Sequence, residues 1–236
     1  MTEANKAGKT PKPSKFQPKG IAILHEDQDI LVVDKAAGLL TVGTDRERER
    51  TVHYLLNEFV KKGNIRSKNR VYVVHRLDRE TSGVLVFAKN EKTKAFLQEN
   101  WADFSKSYLT IVQGKLKEKE GVITSYLAEN KVFRVYSVKD ETKGKLARTG
   151  YKVLKETADF SLLSIDLFTG RKHQIRVHLS EKGHPVVGDK MYSKDAKGVK
   201  RLALHSSSLT IVHPFSKKEM TFKAPAPQDF NRLVRF

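Results

Sequence analysis

The residues His75-Arg76-Leu77-Asp78-Arg79-Glu80-Thr81-Ser82-Gly83 concentrate acid, base and hydroxyl groups in one stretch of the chain. They lie between two apolar runs, 71–74 and 84–88, that read as buried strands. Charged side chains confined between such strands must fall at a strand end or loop, where rigid neighbours hold them against solvent or ligand. Asp78 has an arginine on either near side, Arg76 and Arg79. A cationic neighbour keeps a carboxylate ionised, and an ionised carboxylate can act as a nucleophile. The plainer reading is that Asp78 caps its turn and pairs with one of those arginines, as most loop carboxylates do.

A second group runs Thr169-Gly170-Arg171-Lys172-His173-Gln174-Ile175-Arg176-Val177-His178-Leu179. It begins where a strand ends, turns at Gly170 and enters a helix, so cationic side chains and backbone donors gather in one anion-facing place. Arg176 stands between Ile175 and Val177, which predicts partial burial and a need for a carboxylate partner. A helix-surface arginine paired locally is the alternative. Lys106-Ser107-Tyr108 opens a strand, where a tyrosine most often belongs to the core or the edge.

Other chemistries find no support. There is no Gly-Lys-Ser or Gly-Lys-Thr phosphate loop and no GxGxxG after a strand. His173 and His178 are five apart, off the spacing of a helical metal pair, so no metal site is expected. Ser82 sits in Thr-Ser-Gly rather than in a Gly-x-Ser-x-Gly elbow. With no cysteine, disulfides, thiolate metal sites and cysteine nucleophiles are excluded.

The elements that must position these groups are legible from their periodicity. Residues 21–24 and 30–33 read as strands paired across HEDQD. Thr51 reads as a helix N-cap, followed by Val52, Leu55, Leu56, Phe59 and Val60 on one face and a stop at Gly63. The stretch KKGNIRSKNR (61–70) has five basic residues and no acidic one, as a solvated loop or a phosphate contact would. Asn90 can cap a helix running to about Trp101. From Ser107 to Leu167 strand patterns dominate, as YLTIVQG, GVITSYL, KVFRVYSV and FSLLSIDL. A short helix fits 173–182, and LALHSSSLTIVH and EMTFKA return to strands before a proline-containing tail. The expectation is an α+β fold with a mixed, mainly antiparallel sheet and flanking helices. One ordered domain spans 20–236. Residues 1–19, with five lysines and one acidic residue, read as a flexible basic arm.

Over 236 residues, 45 Lys and Arg stand against 27 Asp and Glu, a net charge of +18 that calls for a polyanionic partner such as nucleic acid. A basic surface kept for solubility is the competing explanation. No apolar run approaches the ~20 residues that would span a bilayer, so no membrane role is expected. The N-terminal residues lack the apolar segment of a leader. The absence of cysteine fits a cytoplasmic location.

HRLDRETSG followed by VLVFAK, then SKSYLTIVQG, TGRKHQIRVHL, HPVVGDKMY and LALHSSSL, resembles the RluA family of pseudouridine synthases from about Gly20 to the C-terminus. The resemblance implies Asp78 as the catalytic aspartate, Tyr108 as the tyrosine stacking on the target base, and Arg176 as the arginine paired with that aspartate. RNA contacts are expected from His75, Arg76 and Thr81 in the first motif and from Arg171, His173, Gln174 and Ile175 in the second. It further implies a pseudouridine synthase catalytic domain over 20–236 with a central RNA-binding cleft. Specific uridines of ribosomal or transfer RNA would be isomerised by a monomer without a cofactor. The chain departs from the family in having Lys35-Ala36-Ala37-Gly38 where Lys-Pro-x-Gly is usual, and no small extra RNA-binding domain fits before Gly20. Two other classes compete: an RNA-binding protein that keeps the fold without the chemistry, and a glycosidase using Asp78 with Glu80.

Overall fold

Alternating burial builds the centre of the sheet. Along Ile30–Lys35, Leu31 and Val33 point to one apolar cluster while Ile30 and Val32 point to another, and all four are fully buried. Ser82–Ala88 repeats the pattern, with Leu85 and Phe87 on one face and Val84, Val86 and Ala88 on the other. Strands buried on both faces need cover on both, and the flanking helices supply it.

The computed structural model describes residues 18–45, 47–194, 199 and 201–234; all but the last two residues of the expected basic arm lie outside them. In chain order the elements begin with β1 (Ile21–Glu26), β2 (Ile30–Lys35), α1 (Val52–Lys61), β3 (Tyr72–Val73), β4 (Ser82–Ala88) and α2 (Glu91–Glu99). The middle comprises β5 (Ser105–Gln113), β6 (Glu120–Glu129), β7 (Val135–Val138), β8 (Lys145–Glu156) and β9 (Phe160–Leu167). Then come α3 (Gln174–Glu181), β10 (Leu204–Val212), β11 (Glu219–Lys223) and α4 (Gln228–Val234). The strands form one sheet in the order β1-β2-β4-β10-β5-β9-β8-β6-β7, with β11 added to β10 and β3 to β4. Only β4 and β10 run parallel; every other pairing is antiparallel. This is the expected α+β architecture. Helix α1 closes one face through Val52, Leu56, Phe59 and Val60, and α2 closes the other through Leu97. No described helix is long and apolar enough to cross a membrane.

The parallel junction explains the glycine of Thr-Ser-Gly. Gly83 has φ +111, and a Cβ there would lie 2.1 Å from the backbone oxygen of Ser206 on β10. Only glycine lets the two strands approach this closely.

The helix caps form as their residues predict: Thr51 accepts from the Tyr54 N–H and Asn90 from the Thr93 N–H. Four local readings change. The strand expected over 71–74 shrinks to Tyr72–Val73. KVFRVYSV is a strand only from Val135, because Asn130 Oδ1 accepts from the Val132 and Arg134 N–H groups and folds the first half into a turn, with Phe133 at φ +60. The longest strand, β8, escapes a hydrophobicity reading because Leu146 and Leu154 are exposed beside its charged residues while Thr149 and Gly150 are buried, so apolar and buried positions do not coincide. The C-terminal tail contains α4, whose Phe230 and Val234 are fully buried.

Candidate active site

Both expected motifs open into one cavity of about 570 Å³ near the middle of the sheet. Asp78, on the loop before β4, is the only carboxylate lining it among the described residues. That loop is held from behind. Thr41 Oγ1 donates to the Leu77 carbonyl and accepts from the Leu77 N–H, while the Gly38 N–H donates to the Arg79 carbonyl. Lys35, wholly buried, donates to the carbonyls of Ala36, Leu39 and Arg79. Burial lowers its pKa to about 8, against the raising pull of Glu80 and Asp78. In the sequence Lys35 stood out only as the first residue of Lys35-Ala36-Ala37-Gly38, with no role assigned to it.

Arg176 reaches the site from α3. Its Nη1 donates to Asp78 Oδ2 at 3.2 Å, so the two residues implied as partners do meet. Its stronger partner is Asp189, which accepts from Nε at 2.7 Å and from Nη2 at 2.9 Å. Asp189 has no side-chain exposure and also accepts from the Met191 and Tyr192 N–H groups. Burial raises its pKa, and the bonds from Arg176 outweigh that and leave it lowered. Asp78 is thus the partner that the resemblance implies, and Asp189 is a second carboxylate, not foreseen, that takes the other two nitrogens. Arg79 turns away to Glu47, so a local arginine is not the partner of Asp78 either.

His173 precedes α3 with φ +53, a strained conformation for a residue other than glycine and one that aims its ring inward. Its Nδ1 lies 2.9 Å from the Tyr192 hydroxyl, which accepts from the Val135 N–H. The other ring nitrogen, Nε2, lies 3.7 Å from Asp78 Oδ2. Burial lowers the His173 pKa, with Asp78 pulling the other way.

Tyr108 lies on β5 between Ser206 of β10 and Ile165 of β9, is 8% exposed and walls the cavity. Burial raises its pKa to about 12, assisted by the nearby Asp78. Ile175, Leu77, Leu167 and Leu204 supply apolar wall. Arg76, exposed, lines the mouth, and so does Arg171, whose Nε donates to the Leu146 carbonyl. Thr81 is buried, its N–H closing a turn onto the Asp78 carbonyl. His75 lines the cavity with Nε2 accepting from the Val86 N–H. Gln174 differs from expectation. Its amide donates to the Arg148 carbonyl and Thr149 Oγ1 and accepts from Thr169 Oγ1 and the Arg171 N–H, so it braces the turn into α3 and keeps nothing for a ligand.

The arrangement can hold an ionised carboxylate beside an aromatic wall inside a cationic rim. It does not offer the facing carboxylate pair that glycoside hydrolysis needs: Glu80 is exposed and outside the cavity wall, and Asp189 is engaged by Arg176.

The sequence profile of the family described as RNA pseudouridylate synthase matches residues 29–181. The chain is 34% identical over 225 residues to an uncharacterized RNA pseudouridine synthase of Bacillus subtilis, YhcT, covering 90% of this chain and 71% of that protein. It is 34% identical over 241 residues to the ribosomal large subunit pseudouridine synthase D of Zymomonas mobilis, covering 95% of this chain and 76% of that one. Among solved structures, human RNA pseudouridylate synthase domain containing 4 superposes with a TM-score of 0.75 at 25% identity, covering 89% of this chain and 90% of its own.

Proposed function

The chain belongs to the RNA pseudouridylate synthase family, and from that premise we propose that Asp78, Tyr108 and Arg176 are the groups with which it isomerises uridines in RNA. The observation that carries the assignment is Asp78 itself, the only carboxylate in the cavity wall among the described residues, held by Arg176 and set beside Tyr108.

The reaction cuts the bond from ribose C1′ to uracil N1, turns the base and rejoins C1′ to C5, with C5 giving up its proton and N1 taking one up. No atom is gained or lost, so the residues need only start the cleavage, hold the detached base and move protons. A carboxylate can start it by attack on C1′, by attack on the base, or by removing a proton from the sugar. Each route uses the Asp78 carboxylate, which Arg176 Nη1 holds in place. The Tyr108 ring and the leucines around it hold uracil by stacking and contact, at about 1–3 kcal/mol per base. A target inside a paired or stacked region is first extruded at a cost of a few kcal/mol. Phosphate contacts from Arg76, Arg171 and the wider basic surface offset that cost.

The substrate class is a structured ribosomal or transfer RNA, met by a monomer in the cytoplasm, with no cofactor in the reaction. Residues 1–19 act as an extra basic arm beside the catalytic domain over 20–236. The large-subunit assignment of the Zymomonas mobilis relative favours ribosomal RNA.

Asp78→Asn removes nucleophile and base while keeping the shape. Conversion, read by mapping pseudouridine in RNA exposed to the purified variant, should vanish while RNA affinity and unfolding midpoint stay near wild type. A variant that still converts at the wild-type rate would sink the assignment.

A further inference from the structure

Beyond the uridine pocket the same cavity continues to a second end, walled by Trp101, His75, Gln98 and Lys106. We propose that this end is a subsite for the nucleotide adjoining the target uridine, with its base packed on the Trp101 indole and its phosphate held by Lys106. The proposal rests on the RNA-modifying reading above and adds a part of the substrate that Asp78 and Tyr108 do not touch.

Trp101, the chain's single tryptophan, follows α2 and is partly exposed on the cavity wall. Its ring is held on two sides. The His75 imidazole stacks on it at 4.3 Å and 30°, and Phe104 meets it edge-on at 5.9 Å. His75 is fixed in turn, because Nε2 accepts from the Val86 N–H and the ring proton must sit on Nδ1. Burial keeps this imidazole neutral, so it serves as a flat support whose charge does not change in the neutral range. A rigid indole at a cavity wall suits an unstacked base, because every base has an aromatic face.

Lys106 supplies the second observation. It is 9% exposed, and its ammonium donates to the Trp101 carbonyl at 2.7 Å and lies 5.5 Å from the indole centre. No carboxylate lies within ion-pair distance of it among the described residues; Asp103 acts on it only from further off. A buried ammonium without a counter-ion is costly. Here it borders an open cavity, from which a phosphate can supply the missing charge.

Register ties the two ends together. Lys106 and Tyr108 are two apart on β5, both buried with Ser107 less so, and share a face at about 7 Å spacing along the strand. A nucleotide next to a uridine held at Tyr108 therefore brings its phosphate toward Lys106 and its base toward Trp101. Extruding the uridine unstacks that neighbour, and the indole replaces part of the lost stacking.

Because Trp101 is the only tryptophan, its fluorescence reports this subsite alone. The probes are heptaribonucleotides with one central uridine, flanked by adenosines or carrying an abasic residue on one side or the other. The adenosine-flanked probe should quench wild-type fluorescence, and the abasic residue on one particular side should abolish quenching and weaken affinity by about tenfold. Trp101→Leu should lose the same factor on the adenosine probe and nothing on that abasic probe. Lys106→Gln should weaken both probes and flatten the log-affinity against log-salt slope by about 0.7. An unquenched wild type at saturation overturns the proposal, as does Trp101→Leu weakening both probes equally, or Lys106→Gln leaving the salt slope unchanged. Should Trp101→Leu fail to fold, the wild-type comparison of the probes decides alone. Conversion of ribosomal or transfer RNA is scored in parallel. Conversion without quenching removes the subsite and spares the enzyme; quenching without conversion removes the catalytic reading and spares the subsite.

Discussion

Arg176 divides one guanidinium between two carboxylates, giving two nitrogens to buried Asp189 and one to Asp78. Arg176→Met should therefore act twice. It leaves Asp189 buried without its cation, at a cost of about 3–5 kcal/mol in urea unfolding, and it leaves Asp78 unaimed, with activity lost. Adding Asp189→Asn should recover part of the stability and none of the activity. Strict additivity of the two stability changes would show that the pair is not coupled. From the sequence, Ile175 and Val177 were enough to predict that this arginine is buried and needs a carboxylate. They were not enough to choose between a partner 98 positions upstream and one 13 downstream, because that depends on where the chain folds back.

At the scale of elements, the β4–β10 junction is a joint near the site with no room to give. Gly83→Ala would drive a methyl group into the Ser206 carbonyl, with backbone on both sides and nothing flexible to yield. We expect destabilisation of at least about 3 kcal/mol, read from urea unfolding, and loss of activity in the cold even where the chain folds, since Asp78 precedes β4 and Leu204 opens β10. A stable and active variant would show that the strands can separate there. Caps and apolar stripes made α1 and α2 readable in advance. The β8 strand and α4 were not, because one exposes Leu146 and Leu154 among its charges and the other has only two buried anchors, Phe230 and Val234. Their identity comes from partners distant in sequence.

Across the whole molecule, several buried histidines set the acid limit of stability. Burial lowers His75 to about 3 and His178 and His205 to about 4, against 6.5 when exposed, and His173 shifts the same way. Above about pH 6.5 they are neutral in both states and stability is full. As pH falls toward 4 the unfolded chain takes up protons that the folded chain refuses, so stability declines. Near pH 5 unfolding should take up about three protons, measured as the slope of unfolding free energy against pH; a flat profile from pH 7 to 4.5 would contradict the burial of these rings. Asp27, lowered to about 2 by its bonds to His25, the Ile30 and Asp29 N–H groups and His213 despite burial, adds a further loss below about pH 3.8. The net charge of +18 predicts salt-sensitive RNA binding. Deleting residues 1–17 should flatten the salt slope by roughly 1.5–2 units, for two or three engaged lysines, without changing which uridine is modified. A changed target would make the arm part of the site.

The sequence by itself determined the family, because HRLDRETSG and GRKHQIRVHL are local strings that carry the resemblance whether or not the fold is seen, and it singled out Asp78 through that resemblance. It also determined the net charge of +18, since charge adds up whatever the path of the chain. Only the tertiary structure decided that Asp189 anchors Arg176, that Gln174 braces a turn, that Lys35 pins the Asp78 loop from behind, and that Trp101 and Lys106 extend the cavity. Lys35 meets a carbonyl 44 positions away and Gln174 one 26 positions away, contacts that no local string encodes. Hydrophobic periodicity says which face of a strand or helix is buried. Which polar groups meet there is decided by strand order and register, above all by the parallel pairing of β4 with β10 beside β5.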